Sequence, residues 1–299
     1  MRARPPGEAQ WEGRSPLPGS EGQPPKLAAL AAPISFLSDF GLQDEFVGVV
    51  KGVIARISPQ SQVIDVTHQI PPGDIRAGAL ALTRAIQYLP PGVVLAVVDP
   101  GVGTERRPIA AATEFGYFVG PDNGLLSPAV AMVGGATAVH ALENPEARIP
   151  GPGATFQGRD IFAPAAALLA SGEASLEELG PPVEPDSLMP MMLPLARVEP
   201  AMVQGEAWWV DVFGNVETNI SPEDLALTGL APGSTLEVIV GSSVHEATWV
   251  TAYGDLGEGM LGVHVDSAGL IALALRGGRA DDELALASGM VVTFRPAGN

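Results

Sequence analysis

The segment Val93–Val98, VVLAVV, is an apolar and largely β-branched run, typical of a strand that is buried on both faces of a sheet. Two similar runs precede it, ISFL at Ile34–Leu37 and VIDV at Val63–Val66. The three runs predict three neighbouring strands of one sheet.

Helical patterns separate these strands. Phe46–Ile57 has helical periodicity and stops before Pro59, and Asp74 stands at the N-cap position of an Ala/Leu-rich helix that runs to Leu89. A further helix fits Ile161–Ala170. Alternating strands and helices predict an α/β N-terminal domain with a mainly parallel sheet and helices on both of its faces.

The pattern changes after a proline-rich stretch, 181–200, which is taken as the domain boundary. Short strands punctuated by Gly, Asp and Asn follow, and they predict a smaller all-β, barrel-like C-terminal domain. The predicted strands are Trp208–Val212, Val216–Ile220, Leu236–Val240, Glu246–Thr251, Ile271–Leu275 and Val291–Phe294. The expected division is a disordered tail at 1–33, an α/β domain at 34–190 and a β-barrel domain at 195–299.

Composition narrows the classes of function. The net charge of −18 makes nucleic acid an improbable partner; it would attract a cationic substrate, but a solubilising acidic surface explains it equally well. No run is long enough for a membrane span, and the N-terminus lacks the apolar core of a secretory signal. The absence of cysteine suits a reducing compartment, so a cytoplasmic location is expected.

Three polar clusters fall where ligands bind in α/β folds, at the ends of strands or the start of a helix, and a fourth lies in the β domain. Each has a structural alternative: Asp39 as a turn or cap residue, Asp99 and Arg106 as an ion pair that braces a loop, and Asp211 and Asn215 as hairpin residues. Arg106 also stands where a dinucleotide loop needs its third glycine, which argues against an NAD site. The clusters are Ser38–Gly41, Asp99–Arg107, Thr155–Asp160 and Asp211–Asn215.

Taken together, the motifs are similar to those of a known family. The chain resembles the S-adenosyl-L-methionine hydroxide adenosyltransferases, relatives of the fluorinase and the chlorinase, from about Ile34 to its C-terminus. The resemblance implies a homotrimer in which substrate lies between the N-terminal domain of one subunit and the C-terminal domain of a neighbour. The matching stretches are FLSDFGLQDEFVGVVKG, IDVTHQI, DIRAGA, VVDPGVGTERR, VGPDNGLL, TFQGRDIFAPAAA and DVFGNVETNI.

The same resemblance implies a set of substrate-binding residues. Carboxylates are implied to hold the ribose hydroxyls and the methionine ammonium, aromatic rings to sandwich adenine, and polar side chains to contact the adenine edge and the methionine carboxylate. Asp39 is implied to hold the ribose hydroxyls, and Asp44 and Asp211 the methionine ammonium. Phe213 and Tyr253 are implied to sandwich adenine, Asn215 to contact the adenine edge and Ser267 to contact the methionine carboxylate. Thr155, in the TFQGRD motif, completes the set. Ala268 departs from the fluorinase, which has an arginine for the substrate carboxylate.

Three further residues are implied to be catalytic. Halide-using relatives carry Tyr where this chain has Asp99, whereas water-using relatives carry Asp with an arginine that matches Arg106. A carboxylate would repel a halide but can accept a proton from water. The water-using relatives have His where this chain has Gln157, which can hydrogen-bond but cannot take a proton.

The expected reaction is therefore S-adenosyl-L-methionine plus water giving adenosine and L-methionine, by SN2 attack of water at the ribose 5′ carbon. A sulfonium is already an activated leaving group, so no metal ion or cofactor is expected. Two alternatives stay open: a non-catalytic binder of S-adenosyl-L-methionine or adenosine, suggested by Gln157, and a halide-dependent adenosyltransferase.

Overall fold

A computed structural model describes residues 31–151 and 153–298. The predicted disordered tail, 1–33, lies outside the described residues except for its last three. The first half of the described chain forms one seven-stranded sheet with four helices. Its strands are β1 (Ile34–Ser38), β2 (Val63–Thr67), β3 (Gly92–Val97), β4 (Pro108–Ala112), β5 (Gly116–Pro121), β6 (Ala138–Ala141) and β7 (Pro182–Val183), and its helices are α1 (Phe46–Ile57), α2 (Ile75–Ile86), α3 (Ser127–Met132) and α4 (Ala163–Ser171).

The strand order of this sheet is β2-β1-β3-β5-β4-β6-β7. The pairs from β2 through β5 are parallel, and the pairs from β5 through β7 are antiparallel. Helices α1 and α4 pack on one face of the sheet, and α2 and α3 on the other. The expected α/β domain with helices on both faces is confirmed, and its sheet is parallel in the half that contains VVLAVV.

The local signals explain where the helices begin and end. Helix α1 covers Phe46–Ile57 as predicted. The Asp74 side chain accepts a hydrogen bond from the backbone N–H of Ala77 at 2.9 Å, so the predicted N-cap of α2 is confirmed. The helix predicted at Ile161–Ala170 starts instead with one turn of π-helix, Gly158–Phe162, which continues into α4.

The second half of the chain forms a closed barrel. Seven strands run in the order β10-β14-β13-β12-β11-β15-β9, and pairing of β9 with β10 closes the ring, so the predicted barrel is confirmed. The elements are β8 (Arg197–Glu199), β9 (Met202–Val210), β10 (Val216–Thr218), α5 (Pro222–Ala226), β11 (Thr235–Val240), β12 (Ser243–Trp249), β13 (Leu261–Val265), β14 (Ile271–Leu275), α6 (Ala280–Leu284) and β15 (Val291–Pro296).

Two predicted strands of the barrel were placed too far along the chain. The strand expected at Glu246–Thr251 is found at Ser243–Trp249. The strand expected at Trp208–Val212 ends at Val210, because Asp211 and Val212 turn into the loop that leads to β10. The loop closes with hydrogen bonds from Gly214 N to Asp211 O and from Asp211 N to Asn215 O, each 3.0 Å. Asp211, which accepts hydrogen bonds within its own turn, thus ends the strand two residues earlier than the apolar pattern indicates.

Helix α2 lies between the sheet and the barrel. On its polar side, Arg76 forms an ion pair with Glu206 of β9, and Arg84 forms one with Glu217 of β10. The guanidinium of Arg84 also lies over the ring of Trp209, 5.1 Å from the ring centroid. These ion pairs fix the barrel against the N-terminal sheet. Within the described residues, no helix is both long and apolar enough to cross a membrane.

Candidate active site

The loops that follow β1 and β3 lie side by side, because the two strands are parallel neighbours. The N–H of Asp39 donates to the carbonyl of Val97 at 3.3 Å, and its Oδ2 accepts from the N–H of Gly73 at 2.8 Å. Burial raises the pKa of Asp39; backbone N–H groups, first that of Gly73, lower it, and the nearby charge of Asp99 adds to the increase. The two carboxyl groups therefore belong to one electrostatic site.

Arg106 joins the carboxylate of Asp99 to the side-chain amide of Gln157. Its Nε donates to Asp99 Oδ1 at 2.9 Å, and its Nη2 donates both to Asp99 Oδ2 and to Gln157 Oε1, the latter at 2.6 Å. Only 6% of the Asp99 side chain and 11% of the Arg106 side chain are exposed. The bracing ion pair that the sequence left open is thus present, and its two-point geometry fixes the orientation of the Asp99 carboxylate.

An aromatic cluster connects the Asp39 loop to the Gln157 loop. The ring of Phe156 lies 5.8 Å from that of Phe40 and 5.2 Å from that of Phe46, in edge-to-face arrangements. Gly158 lets the two loops approach, because a Cβ at this position would lie 2.9 Å from Cζ of Phe40. The cluster therefore sets where Gln157 stands relative to Asp39.

A buried polar pair supports the Asp39 loop from below. Ser38 Oγ lies 2.8 Å from His68 Nδ1, and the carbonyl of His68 accepts from the N–H of Gly41 at 2.7 Å. The other ring nitrogen of His68 lies 3.1 Å from Asp65 Oδ1. Burial lowers the pKa of His68, so it is a neutral hydrogen-bonding residue of this loop at pH 7.

The loop between β9 and β10 carries the predicted cluster Asp211–Asn215. Asp211 Oδ1 accepts from the N–H groups of Phe213 at 2.8 Å and Asn215 at 2.9 Å, and Oδ2 accepts from the Asn215 side chain at 2.8 Å. Asp211 and Asn215 therefore stabilise the hairpin between β9 and β10, which is the structural role that the sequence left open for them. The same bonds hold the ring of Phe213 outward, where 74% of this residue is exposed.

A cavity of about 820 Å³ lies between α2 and the barrel. Four predicted substrate-binding residues line it: Asp211, Asn215, Tyr253 and Ser267. Asp266 Oδ1 accepts from the N–H groups of Ala268 at 2.8 Å and Leu270 at 3.0 Å, which shapes the turn that presents Ser267. The barrel thus supplies a concave and polar surface with the exposed ring of Tyr253, and the exposed ring of Tyr88, just after α2, also lines the cavity.

Comparison with known proteins identifies the family. The model of the SAM hydroxide adenosyltransferase N-terminal domain, where SAM is S-adenosyl-L-methionine, matches residues 34–180, and that of the C-terminal domain matches residues 205–293. The chain belongs to the SAM hydroxide adenosyltransferase family.

Individual relatives cover nearly the whole fold. The chain is 49% identical to the (R)-S-adenosyl-L-methionine hydrolase of Salinispora tropica, over 86% of this chain and 95% of the relative. It is 43% identical to the protein of the same name from Thermus thermophilus, over 87% of this chain and 98% of the relative. A crystal structure of an uncharacterized conserved protein from Thermotoga maritima matches with a TM-score of 0.81 and 38% identity, over 87% of this chain and 99% of that one.

The SAM hydroxide adenosyltransferase fold brings the predicted site residues together as two groups. Asp39, Asp99, Arg106 and Gln157 are joined by hydrogen bonds, aromatic packing or charge around the ends of β1 and β3. The second group is the four cavity residues of the barrel, and none of the first group lines that cavity. Asp44, Thr155 and Phe213 are exposed and line none of the cavities described above.

Sequence reasoning missed the charged residues at the back of the cavity. Arg84 and Glu217 meet there at 3.3 Å, and burial raises the pKa of Glu217 to about 7, with Asp266 opposing its ionisation and Arg84 favouring it. His264, whose pKa burial lowers, also lines the cavity with its ring 4.7 Å from that of Tyr253. In the sequence, Arg84 is one arginine on the polar side of an amphipathic helix, and no local signal connects it to Glu217, 133 residues away.

Proposed function

We propose that this chain hydrolyses S-adenosyl-L-methionine to adenosine and L-methionine by attack of water at the ribose 5′ carbon. The observation that carries the proposal is the Asp99 carboxylate, held at two points by Arg106 and close to Asp39. The names of the relatives from Salinispora tropica and Thermus thermophilus support the same substrate and reaction.

The proposed step needs only one proton acceptor. Water attacks the 5′ carbon opposite to sulfur, the new carbon–oxygen bond forms as the carbon–sulfur bond breaks, and the electron pair leaves on the neutral thioether of methionine. Asp99 accepts the proton of the attacking water. Because Arg106 already fixes Asp99, the carboxylate does not have to reorganise when the reaction begins.

Gln157 has a supporting role in this proposal. Its Oε1 accepts from Arg106, and its amide N–H groups, which have no acceptor among the described residues, can donate to water or to Asp99. Gln157 thereby orients Arg106 and the attacking water, as is expected of the histidine in water-using relatives, while Asp99 alone takes the proton.

The remaining predicted residues are proposed to bind substrate. Asp39 accepts from the two ribose hydroxyls, Asp44 and Asp211 face the methionine ammonium, and Thr155 borders the Gln157 loop. Adenine lies between Phe213 and Tyr253 with its edge on Asn215, and Ser267 contacts the methionine carboxylate. The exposure of Phe213 and Tyr253, 74% and 52%, supports this role, because both rings are accessible for stacking on a base.

The reaction is tested by incubating the protein with S-adenosyl-L-methionine in oxygen-18 water. Adenosine labelled at its 5′ oxygen and free methionine are expected, at a rate that does not depend on chloride. A halogenated nucleoside formed in preference would assign the halide-dependent reaction instead. Tight binding without turnover would identify the protein as a non-catalytic binder, the alternative suggested by Gln157 in place of the expected histidine.

We further propose a homotrimer with each site shared between two subunits. The support is the separation of the two residue groups in one chain, since none of the Asp99 group lines the cavity of the barrel. Cyclic symmetry would bring the Asp99 group of one subunit against the barrel of the next. A cytoplasmic location and independence of metal ions and cofactors belong to the same proposal.

Subunit mixing tests this arrangement. Asp99→Asn and Asn215→Ala inactivate different halves of the proposed site, so each variant alone should have little activity. After the two are unfolded together and refolded, about a quarter of the shared sites should carry both intact halves and regain activity. No recovery in a mixed trimer, or an active monomer by light scattering, would contradict the shared site.

A further inference from the structure

The proposed substrate carries a carboxylate for which the assigned residues provide no positive charge. The eight substrate-binding residues are acidic, aromatic or neutral, and Arg106 is already occupied by Asp99 and Gln157. A methionine moiety is a zwitterion, and a cation beside Ser267 would give its carboxylate a charge-assisted hydrogen bond, which is stronger than one from a hydroxyl alone.

The cavity beside Ser267 contains such a cation. Among the described residues that line it, Arg84 is the one side chain with a permanent positive charge. The other basic group is His264, and burial lowers its pKa, so it is neutral at pH 7. The acidic residues of the same lining, Asp211, Glu217 and Asp266, suit the ammonium of the substrate.

The guanidinium of Arg84 is held in a fixed orientation and still has free donors. One face lies over the ring of Trp209, and Nη1 donates to Glu217 Oε1 at 3.3 Å. Within the part of the chain that the structure describes, the guanidinium of Arg84 donates no further hydrogen bond, so N–H groups remain for a ligand, and 24% of the side chain is exposed. A planar guanidinium with adjacent free N–H groups matches a carboxylate at two points.

The partner of Arg84 within the chain is a weak competitor. Burial raises the pKa of Glu217 to about 7, and Asp266, which packs against it from the turn after β13, opposes its ionisation. Asp211 lies on the same lining. Around pH 7 the Glu217 carboxyl is therefore only partly charged, and Arg84 is incompletely neutralised inside the protein.

We propose that Arg84 binds the carboxylate of the methionine moiety of the substrate, in the cavity that Ser267 also lines. This inference rests on the proposed substrate and names a specificity residue for it. It explains how the site recognises an amino acid end when the assigned contacts contain no cation. It also makes the carboxylate a determinant of affinity, separate from adenine and ribose.

The test compares S-adenosyl-L-methionine with its decarboxylated analogue, which keeps the ammonium, sulfonium and adenosine but lacks the carboxylate. Dissociation constants are measured by titration calorimetry in full-length protein carrying Asp99→Asn, so that substrate is not consumed. The ratio of the two constants, analogue over substrate, is the carboxylate preference. Binding is read without turnover, so an inert parent that still shows the preference would refute the reaction and leave this inference standing.

Arg84→Gln is expected to weaken binding of S-adenosyl-L-methionine by about tenfold or more and to leave the analogue unchanged, because only the substrate loses a charge-assisted contact. Arg76→Gln is the matched control: Arg76 lies on the same helix and also pairs with a glutamate of the barrel, but it does not line the cavity. It should preserve the preference. A preference that falls equally in both variants would show a general effect of loosening the barrel and overturn the assignment.

Arg84→Lys keeps a positive charge opposite Glu217, so it provides a folded variant if Arg84→Gln does not fold. It should show an intermediate preference, since lysine cannot form the two-point contact. A preference equal to that of the parent in both Arg84 variants would overturn the proposal. Failure of the parent to bind S-adenosyl-L-methionine at all would overturn both this inference and the proposed function.

Discussion

The two halves of the candidate site differ in how far one chain completes them. Around the ends of β1 and β3, side chains bind each other: Asp99 and Gln157 both accept from Arg106, and 6% of Asp99 is exposed. On the barrel, by contrast, Phe213 is 74% exposed and Tyr253 is 52% exposed. One half is organised before any ligand or partner arrives, and the other is an open surface.

This difference follows the demands of the proposed chemistry. A proton acceptor works best when it is already oriented, because reorganising charged groups during the reaction adds to the barrier. Aromatic rings that stack on a base need only shape and area, and they can be covered when substrate and a second subunit close over them. Substitutions can therefore perturb each half of the candidate site separately.

The largest effect is expected in the organised half. Asp99→Asn keeps the size of the side chain but removes the proton acceptor, so turnover should fall by about 100-fold or more, with little change in substrate affinity. Single-turnover kinetics measure it. Asp122→Asn is the control, since it weakens the neighbouring Arg107 ion pair without touching the Asp99 group. Full activity in Asp99→Asn would show that the base was assigned wrongly.

Local patterns predicted three of the four parallel strands, β1, β2 and β3, but not β5, which pairs with β3. The spacing of apolar residues predicts helix α1, and a single capping residue predicts the start of α2. Strand β3 coincides with the apolar run VVLAVV to within one residue at each end. Strands β4 and β6 were missed, because PIAAA and AVHA are short and rich in alanine. Their strand character comes from pairing with neighbours in the sheet, which no local pattern contains.

The site shows the same limit. Asp39 and Asp99 could be placed together because both follow parallel strands, and the family motifs added Gln157. The group formed by Arg84, Trp209 and Glu217 could not be foreseen, because it exists only where α2 meets the barrel. Contacts between domains depend on how two separate cores dock, and the sequence carries no periodic signal for that.

The second-largest effect is expected in the pH dependence of stability, through Glu217 in the cavity of the barrel. The pKa of Glu217 is raised from 4.5 to about 7 in the folded protein, so this group stabilises the fold fully below about pH 4.5, and that stability is lost as pH rises through 7. Glu217→Gln cannot ionise. The free energy of unfolding of the variant, relative to the parent, should therefore increase between pH 4.5 and pH 8, by at most about 3 kcal/mol.

Urea unfolding at fixed protein concentration measures this difference, and other groups cancel because parent and variant share them. A difference that stays constant from pH 4.5 to pH 8 would mean that Glu217 is ionised in the folded protein throughout. The cavity would then hold a full ion pair, and Arg84 would be a poorer site for a ligand carboxylate.

A smaller effect is expected from the loop of the open half. Asp211→Ala removes the acceptor for three hydrogen bonds that orient Phe213 and Asn215, so substrate affinity should fall by about tenfold. Calorimetric titration measures it. Asp224→Ala is the control, since it removes a capping contact of α5 in the same domain and lies outside the cavity. Equal losses in both variants would indicate general loosening of the barrel rather than a role for this loop.

The smallest effect is expected at Gln157, where the family resemblance implies a histidine. Gln157→Ala removes one hydrogen bond to Arg106, worth about 0.5 to 1.5 kcal/mol, so turnover should fall by about two- to tenfold and less than in Asp99→Asn. Gln157→His should keep or raise the rate, because an imidazole can also accept from Arg106 and can take a proton. Single-turnover kinetics beside Asp99→Asn rank the three. A loss in Gln157→Ala larger than that in Asp99→Asn would move the role of base away from Asp99. An inert parent that Gln157→His activates would instead identify a binding protein whose Asp99 and Arg106 are in position but whose chemistry requires the histidine.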